Sequence, residues 1–346
     1  MPFVRNLWYV AAWISELEGG MLGRKLLGEH VLIYRRENGE LAAIGGLCPH
    51  RFAPLELGKV VGDAVECPYH GLQFDHTGAC SLNPHADGAI PKAAKVKAYP
   101  TVERHACLWI WMGEPALADP EKIPDFSHLT DPKRRTITGK SVVAAHYEMV
   151  VDNLLDLSHS MFLHANFHFN KDRLSTPQEV SQEGDTIHSR RLMVNTKGPK
   201  SRMRAYADKD MPVDYWVNLR WNAPGVCVLD TGVAPTGTPK EEGAGQNGTH
   251  ILTPETETST HYFYGSSRNY LQDDPEEDEA IRHWQAVGFG EQDKPMIEAI
   301  QKAIVTTDIM ALKPVLLPID TAAVRARRVM ARLLQEEAAG IRTAAQ

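Results

Sequence analysis

Short apolar runs broken by turn residues fill the first third of the chain. Residues 31–35 and 41–44 flank Glu37-Asn38-Gly39, and the Asn-Gly pair favours a hairpin. Residues 62–66 form a short strand entering the segment that starts at Cys67. Residues 72–75 and 79–82 surround the turn His76-Thr77-Gly78, and residues 102–104 and 108–111 make a further pair. This predicts an all-β domain over residues 1–115. Prolines then cluster at Pro115, Pro120, Pro124 and Pro132, so residues 116–140 read as a connector. Residues 141–346 mix patterns. A helical stretch covers 147–163, and strand-like runs lie at 189–194, 226–229 and 261–265. The span 235–248, rich in Gly, Thr, Glu and Pro, reads as a mobile loop. A helix over 275–305 is interrupted near Gly288 and Gly290; a last helix, 321–339, has Val324, Val329 and Leu333 on one face and several Arg on another. The fold class expected is α+β, with no internal repeat.

Chemistry enters at Cys48, His50, Cys67 and His70, in C-P-H and C-P-Y-H. Two Cys-His pairs can hold one [2Fe–2S] cluster, with both thiolates on one iron and both imidazoles on the other, the Rieske arrangement. Zinc sites of the C2H2 type pair Cys with Cys and His with His in their short loops, whereas each loop here carries one of each. Pro49 and Pro68 stiffen the loops, and Gly71 permits a tight turn.

Composition narrows the setting. The chain has 346 residues, 43% of them apolar, and a net charge of −7, which argues against nucleic acid or an anionic membrane as partner. Five cysteines make no disulfide framework, and Cys80, Cys107 and Cys227 read as buried or spare thiols suited to a reducing compartment. The start of the chain lacks a signal-type apolar region and no run reaches membrane-spanning length, so a cytoplasmic location is expected.

Residues 153–164 hold the second informative pattern: Asp156, His159 and His164 beside an apolar run. Non-haem Fe(II) favours two His and one carboxylate. On an ideal helix, His159 and His164 diverge by about 140°, so the helix must end or distort for them to share an ion. His164 and His168, at i and i+4, are the better helical chelate by spacing alone.

Together these stretches resemble the oxygenase component of the Rieske non-haem iron oxygenases, in the group of vanillate O-demethylase, dicamba monooxygenase and toluenesulfonate methyl-monooxygenase. Asn153, Asp156, His159 and His164 match the pattern N-x2-D-x2-H-x4-H. Further carriers are Arg5-Asn6, Trp8-Tyr9-Val10-Ala11, His50-Arg51-Phe52-Ala53-Pro54-Leu55, Tyr69-His70-Gly71-Leu72, Val151-Asp152-Asn153-Leu154 and Thr253-Pro254-Glu255-Thr256, so the likeness covers nearly the whole chain.

The resemblance implies a Rieske domain followed by a helix-grip-like catalytic domain. It implies a [2Fe–2S] cluster on Cys48, His50, Cys67 and His70, and a mononuclear Fe(II) on His159, His164 and Asp293, with Glu291 and Glu298 as weaker rivals for the third ligand. Pro295 suits a first helical turn, placing Asp293 at a helix start. Asp156 is expected to bridge His70 of one subunit to His159 of the next in a homotrimer, with Asn153 near the iron and His168 in a supporting role. His250, Trp284 and Leu229 match substrate-contact positions of the dicamba monooxygenase. Leu229 replaces an amide there, which puts dicamba itself in doubt; Leu154, Leu155 and Phe167 are further wall candidates.

The implied activity is O-demethylation or methyl hydroxylation of an aromatic acid, with O2 as cosubstrate. The partners implied are an NAD(P)H-dependent reductase, with or without a ferredoxin, and a small aromatic substrate. The alternatives are an aromatic-ring hydroxylase, a Rieske electron carrier without oxygenase activity, and a zinc-stabilised binding module.

Overall fold

The computed structural model describes residues 3–165 and 172–340. The chain divides into two compact units. One comprises Met1–Pro124, Thr253–Thr256 and Glu336–Gln346; the other comprises Asp125–Leu252 and Glu257–Gln335.

The first unit is built of short strands: β1 (Trp8–Trp13), β2 (Met21–Leu26), β3 (Glu29–Arg35), β4 (Leu41–Gly45), β5 (Lys59–Val61), β6 (Ala64–Glu66), β7 (Gln73–Asp75), β8 (Cys80–Leu82), β9 (Ala98–Tyr99), β10 (Thr101–Arg104) and β11 (Cys107–Trp111). They form three sheets, in the orders β1-β11-β10, β2-β3-β4-β9 and β5-β6-β7-β8. The expected hairpins are present: β3 pairs antiparallel with β4, and β7 with β8. At the second turn Gly78 has φ +80°, and a Cβ there would fall 2.1 Å from the Val96 carbonyl oxygen, so only glycine fits. Leu32, Tyr34, Ile44, Val65 and Phe74 pack in one buried cluster with Cys48 and Cys67. The two cysteines are therefore rooted in the core of this unit.

The second unit carries one large sheet. In chain order its elements are β12 (Arg135–Val143), α1 (Tyr147–Leu155), α2 (Asp172–Ser175), β13 (Glu179–Glu183), β14 (Thr186–Thr196), α3 (Lys200–Met203), β15 (Val213–Asn222), β16 (Val226–Pro235), β17 (Ala244–Thr256), β18 (Ser259–Arg268), α4 (Pro275–Trp284), α5 (Lys294–Ile304) and α6 (Thr321–Ala338). The strand order is β12-β18-β17-β16-β15-β14-β13. α1 buries Met149, Val150, Val151, Leu154 and Leu155. On another side of α1, Arg327 of α6 donates to Asp152 at 2.7 Å and to Glu148 at 2.9 Å. The arginine face of α6 thus clamps α1 in place.

Several boundaries differ from the sequence reading. β12 begins at Arg135, inside the stretch taken as connector. The helix from Tyr147 stops at Leu155, because Asp156 adopts extended backbone (φ −94°, ψ 93°) and its carboxylate accepts from the Ser158 N–H at 2.8 Å, closing a competing turn. The span expected as a loop at 235–248 keeps its turn over 236–243, but its last five residues are strand, since β17 starts at Ala244. Two glycines flanking the turn make room for one ring: Cβ atoms on Gly232 of β16 and on Gly243 would come within 2.3 and 2.9 Å of the Trp216 indole. The interruption at Gly288 and Gly290 is a π-helical stretch, Gln285–Asp293, joining α4 to α5. Ala322, Ala326, Val329, Met330 and Leu333 form the buried face of α6, and Val324 lies off it, half-buried.

Candidate active site and metal centres

The two cluster loops are close copies of one turn. Cys48 N–H donates to Ala53 O at 2.9 Å and Phe52 N–H to Cys48 O at 2.8 Å; Cys67 N–H donates to Leu72 O at 2.8 Å and Gly71 N–H to Cys67 O at 3.0 Å. The residue four after each cysteine is left-handed, with φ +56° at Phe52 and +74° at Gly71. Both cysteines are buried, whereas His50 is exposed and His70 half-exposed. The imidazole rings of His50 and His70 lie 4.5 Å apart between centroids. Burial pushes the Cys48 thiol above its ordinary range, and the neighbouring Cys67 adds to that. Burial, with His50 and Arg51 nearby, holds His70 below the usual histidine value. Two buried sulfurs beneath two outward imidazoles fit a two-iron cluster with chemically distinct ends.

In the second unit, His159 and His164 both stand beyond the end of α1, on a short 3-10 turn and just after it. The break removes the divergence an unbroken helix would impose. Their Nε2 atoms lie 3.4 and 3.2 Å from Asp293 Oδ1. Among the described residues, these three are the group of Cys, His, Asp and Glu whose ligand atoms gather within 4.8 Å, as one ion requires; Cys48, His50, Cys67 and His70 form no such single-ion set, against the zinc reading. Ligands bonded at about 2.1 Å around one ion sit about 3 Å apart, so the spacing suits a facial triad.

The other ring nitrogens are held by acceptors. His159 Nδ1 donates to the Asp156 main-chain carbonyl, and His164 Nδ1 to Gln292 Oε1 at 2.8 Å. Carbonyl and amide oxygens only accept, so both Nδ1 atoms carry a proton and both Nε2 atoms face Asp293, positioned to donate to its carboxylate or, once deprotonated, to bind a metal. Burial would raise the Asp293 carboxyl, but hydrogen bonds and charge from His159 and His164 outweigh it and hold it at about 2. Burial would lower His159; Asp293 and Asp156 outweigh that, and its value lies above the ordinary one. The site thus presents two imidazole nitrogens and a permanent carboxylate, a donor set fitted to Fe(II).

Asp293 stands immediately before α5, with Pro295 in the first turn, as expected. Glu291 is exposed, and Glu298 accepts from the Ala144 N–H at 2.9 Å, so neither rival belongs to the triad. Asn153 Nδ2 donates to Asp293 Oδ1 at 3.3 Å. The Asp156 group facing His159 is its carbonyl oxygen, while its carboxylate Oδ1 accepts from Ser158. His168 and Phe167 lie outside the described residues.

A cavity of about 140 Å³ adjoins the triad and is lined by Leu154, Leu229, His250, Trp284 and Phe289 among others. Leu155 is buried core and is not among the lining residues. The edge of Trp284 meets His164, with ring centroids 5.0 Å apart. Leu229 pairs across strands with Leu219, and both line the cavity. His250 Nδ1 lies 2.6 Å from the Tyr262 hydroxyl. Burial drives His250 down to about 4, so it is neutral near pH 7. A Cβ on Gly248 would stand 3.2 Å from His250 Nε2; glycine leaves that nitrogen uncrowded.

Several participants escaped the sequence reading: Gln292, Phe289, Tyr262, Gln246, Arg173 and Arg202. Gln292 carried one signal, its position beside Asp293. The arginines carried none.

Comparison with known proteins agrees over the whole chain. Residues 7–100 match the Rieske [2Fe-2S] domain, and residues 143–336 match the vanillate O-demethylase oxygenase C-terminal domain. The chain is 46% identical over 343 residues to the oxygenase component of dicamba O-demethylase from Stenotrophomonas maltophilia, covering 98% of this chain and all of that one. It is 34% identical to the vanillate O-demethylase oxygenase subunit of a Pseudomonas species (strain HR199), covering 97% and 96% of the two. A crystal structure of dicamba monooxygenase with non-heme iron and dicamba superposes with a TM-score of 0.86 at 43% identity, covering 98% of this chain and 100% of that one. An all-β Rieske domain followed by a catalytic domain with a large antiparallel sheet is therefore the fold of this chain. The catalytic domain argues against both a bare electron carrier and a zinc-stabilised binding module. The chain belongs to the Rieske non-haem iron oxygenases, as an oxygenase component of the vanillate O-demethylase kind.

Proposed function

We propose that the chain is a terminal oxygenase that removes a methyl group from, or hydroxylates a methyl group on, a single-ring aromatic acid. The observation that carries this reading is the cavity against the triad. At about 140 Å³ it matches the volume that accepts one benzene ring, and Trp284 and Phe289 offer aromatic walls. When bound, the cluster supplies electrons one at a time, and the mononuclear iron supplies the O2 chemistry that puts oxygen into a C–H bond. The chain's residues do the rest. His159, His164 and Asp293 hold the iron, with Asn153 steadying the carboxylate. His250 offers a neutral hydrogen bond, and Leu219 and Leu229 exclude water. Hydroxylation of a methoxy carbon gives a hemiacetal that collapses to formaldehyde and a phenol.

The division into a cluster domain (1–115), a connector (116–140) and a catalytic domain (141–346) belongs to the same proposal, with the end of the connector, from Arg135, taken up by β12 of the catalytic sheet. So does a homotrimer in which the second oxygen of the Asp156 carboxylate accepts from His70 of a neighbouring subunit, while its carbonyl holds His159. Electrons come from an NAD(P)H-dependent reductase, with or without a ferredoxin. No described helix is long and apolar enough to cross a membrane.

The test is turnover of the reconstituted enzyme with a reductase, NADH and a panel of methoxylated benzoates. Formaldehyde formed in step with NADH use supports demethylation. Ring-hydroxylated products without formaldehyde support the ring-hydroxylase reading instead. NADH use with no oxidised product from any acid ends the substrate class proposed. Sedimentation of the intact protein as a monomer would remove the trimer.

A further inference from the structure

We infer that Arg202 anchors the acidic group of the substrate. This deepens the aromatic-acid reading and rests on it. Arg202 stands on α3 and lines the cavity beside the triad. Its Nη1 donates to the Tyr270 hydroxyl at 2.5 Å, and Tyr270 donates to Glu277 Oε1 at 3.0 Å. The guanidinium also lies over the Tyr270 ring, 5.3 Å from its centroid. One end of the group is thus fixed. Its Nε is different: it is buried and finds no acceptor among the described residues. A buried guanidinium N–H left without an acceptor is costly. A carboxylate or sulfonate laid along that edge supplies the missing acceptor in fork geometry.

The surroundings favour an acid there. Arg173, nine-tenths buried, brings a second guanidinium to the cavity wall, with Nη1 donating to Ser160 Oγ at 3.1 Å. Asp293 is the one carboxylate among the lining residues, and it faces His159 and His164. Leu229 and Leu219 make an apolar wall with no hydrogen-bond donor, so that side does not hold an acid. His250 adds a hydrogen bond but no charge. The charge needed to meet an anion comes from the arginines, and the leucines and Trp284 are left for the ring.

The experiment is equilibrium dialysis of the iron- and cluster-loaded enzyme without reductant. The probes are methoxybenzoates and toluenesulfonate, each measured against its neutral methyl ester or sulfonamide. The wild type is expected to bind at least one acid about tenfold or more tightly than its neutral counterpart, the scale of one charge-assisted fork. Arg202→Gln should erase that preference and change the affinity of the neutral compound less than about threefold. Arg202→Lys, which keeps the charge without the fork, should restore part of it, and it decides the matter if Arg202→Gln loses iron or folds poorly. A wild type with no acid preference, or an Arg202→Gln enzyme that keeps it, overturns the proposal. Formaldehyde assays separate the two readings. An Arg202-dependent acid preference without formaldehyde sinks demethylation and spares the anchor. Formaldehyde released as readily from neutral ethers as from acids does the reverse.

Discussion

At the cluster, each cysteine is fixed by main-chain bonds inside its own loop. Cys48 and Phe52 close one turn, and Cys67 and Gly71 close the other. At the mononuclear site, only His159 is held locally, by the Asp156 carbonyl; for the other two, side chains do this work across long sequence distances, as Gln292 orients His164 and Asn153 steadies Asp293. The first plan needs only a few consecutive residues and a hydrophobic floor. The second needs the whole catalytic domain to be folded. The contrast teaches where each site is vulnerable, and it can be broken by substitution.

The largest effect is expected for Asp293→Ala. It should lose the mononuclear iron and all detectable product formation, yet keep the visible spectrum of the cluster, with the iron-to-sulfide ratio falling to that of the cluster alone. Loss of both centres would show that they are not built independently. Next comes Asp156→Asn. The amide oxygen can still accept from Ser158, so the turn and both metals should persist, while turnover coupled to NADH falls about 100-fold or more. Normal turnover would remove the bridging role. Gln292→Leu leaves the His164 Nδ1 proton unmatched, and iron affinity should drop about 10- to 100-fold with the cluster untouched. Metal titration of the iron-free protein would read this; unchanged affinity would mean that Gln292 does not orient the ligand.

A smaller effect concerns acid. His250 is held at about 4 by burial, below its ordinary 6.5. Between those values the unfolded chain binds the extra proton and the folded one does not. The stability is fully present above pH 6.5 and is lost as pH falls towards 4, by at most about 3 kcal/mol. His250→Gln should flatten that acid limb in denaturant unfolding; an unchanged slope would sink the assignment. The smallest effects test the paired loops. Gly71→Ala should cost roughly 1–2 kcal/mol, since φ is +74° and a Cβ would lie 3.0 Å from Pro84 Cγ. Phe52→Gly relieves the same backbone strain and should change stability by less than about 1 kcal/mol. Equal costs at both positions would deny the likeness of the loops.

The same contrast explains what was legible. The cluster could be read from four residues because its geometry is local. The hairpins around Gly39 and Gly78 were legible for that reason too. Asp293 is 129 positions beyond His164 in the numbering, and only the resemblance pointed to it. The helix from Tyr147 was read too long because its apolar pattern continues to Leu157; the Asp156-x-Ser158 turn that ends it was a missed signal. The start of β17 was hidden because Gly243, Gly245 and Gly248 read as turn residues, whereas Gly243 answers to Trp216 and Gly248 to His250, contacts made only in the folded sheet. Arg202 is one cation among 37, and nothing in its neighbours distinguishes it.

The π-helical stretch between Trp284 and Lys294 sets angular phase. Trp284, at its start, walls the cavity, and Asp293, at its end, belongs to the triad. Each residue turns an α-helix by about 100°, and a π-helical residue turns the chain somewhat less. Removing any one residue from the stretch would leave Trp284 in place and swing Asp293 out of reach of both histidines. Many side chains along the stretch can change with little effect, but its length cannot.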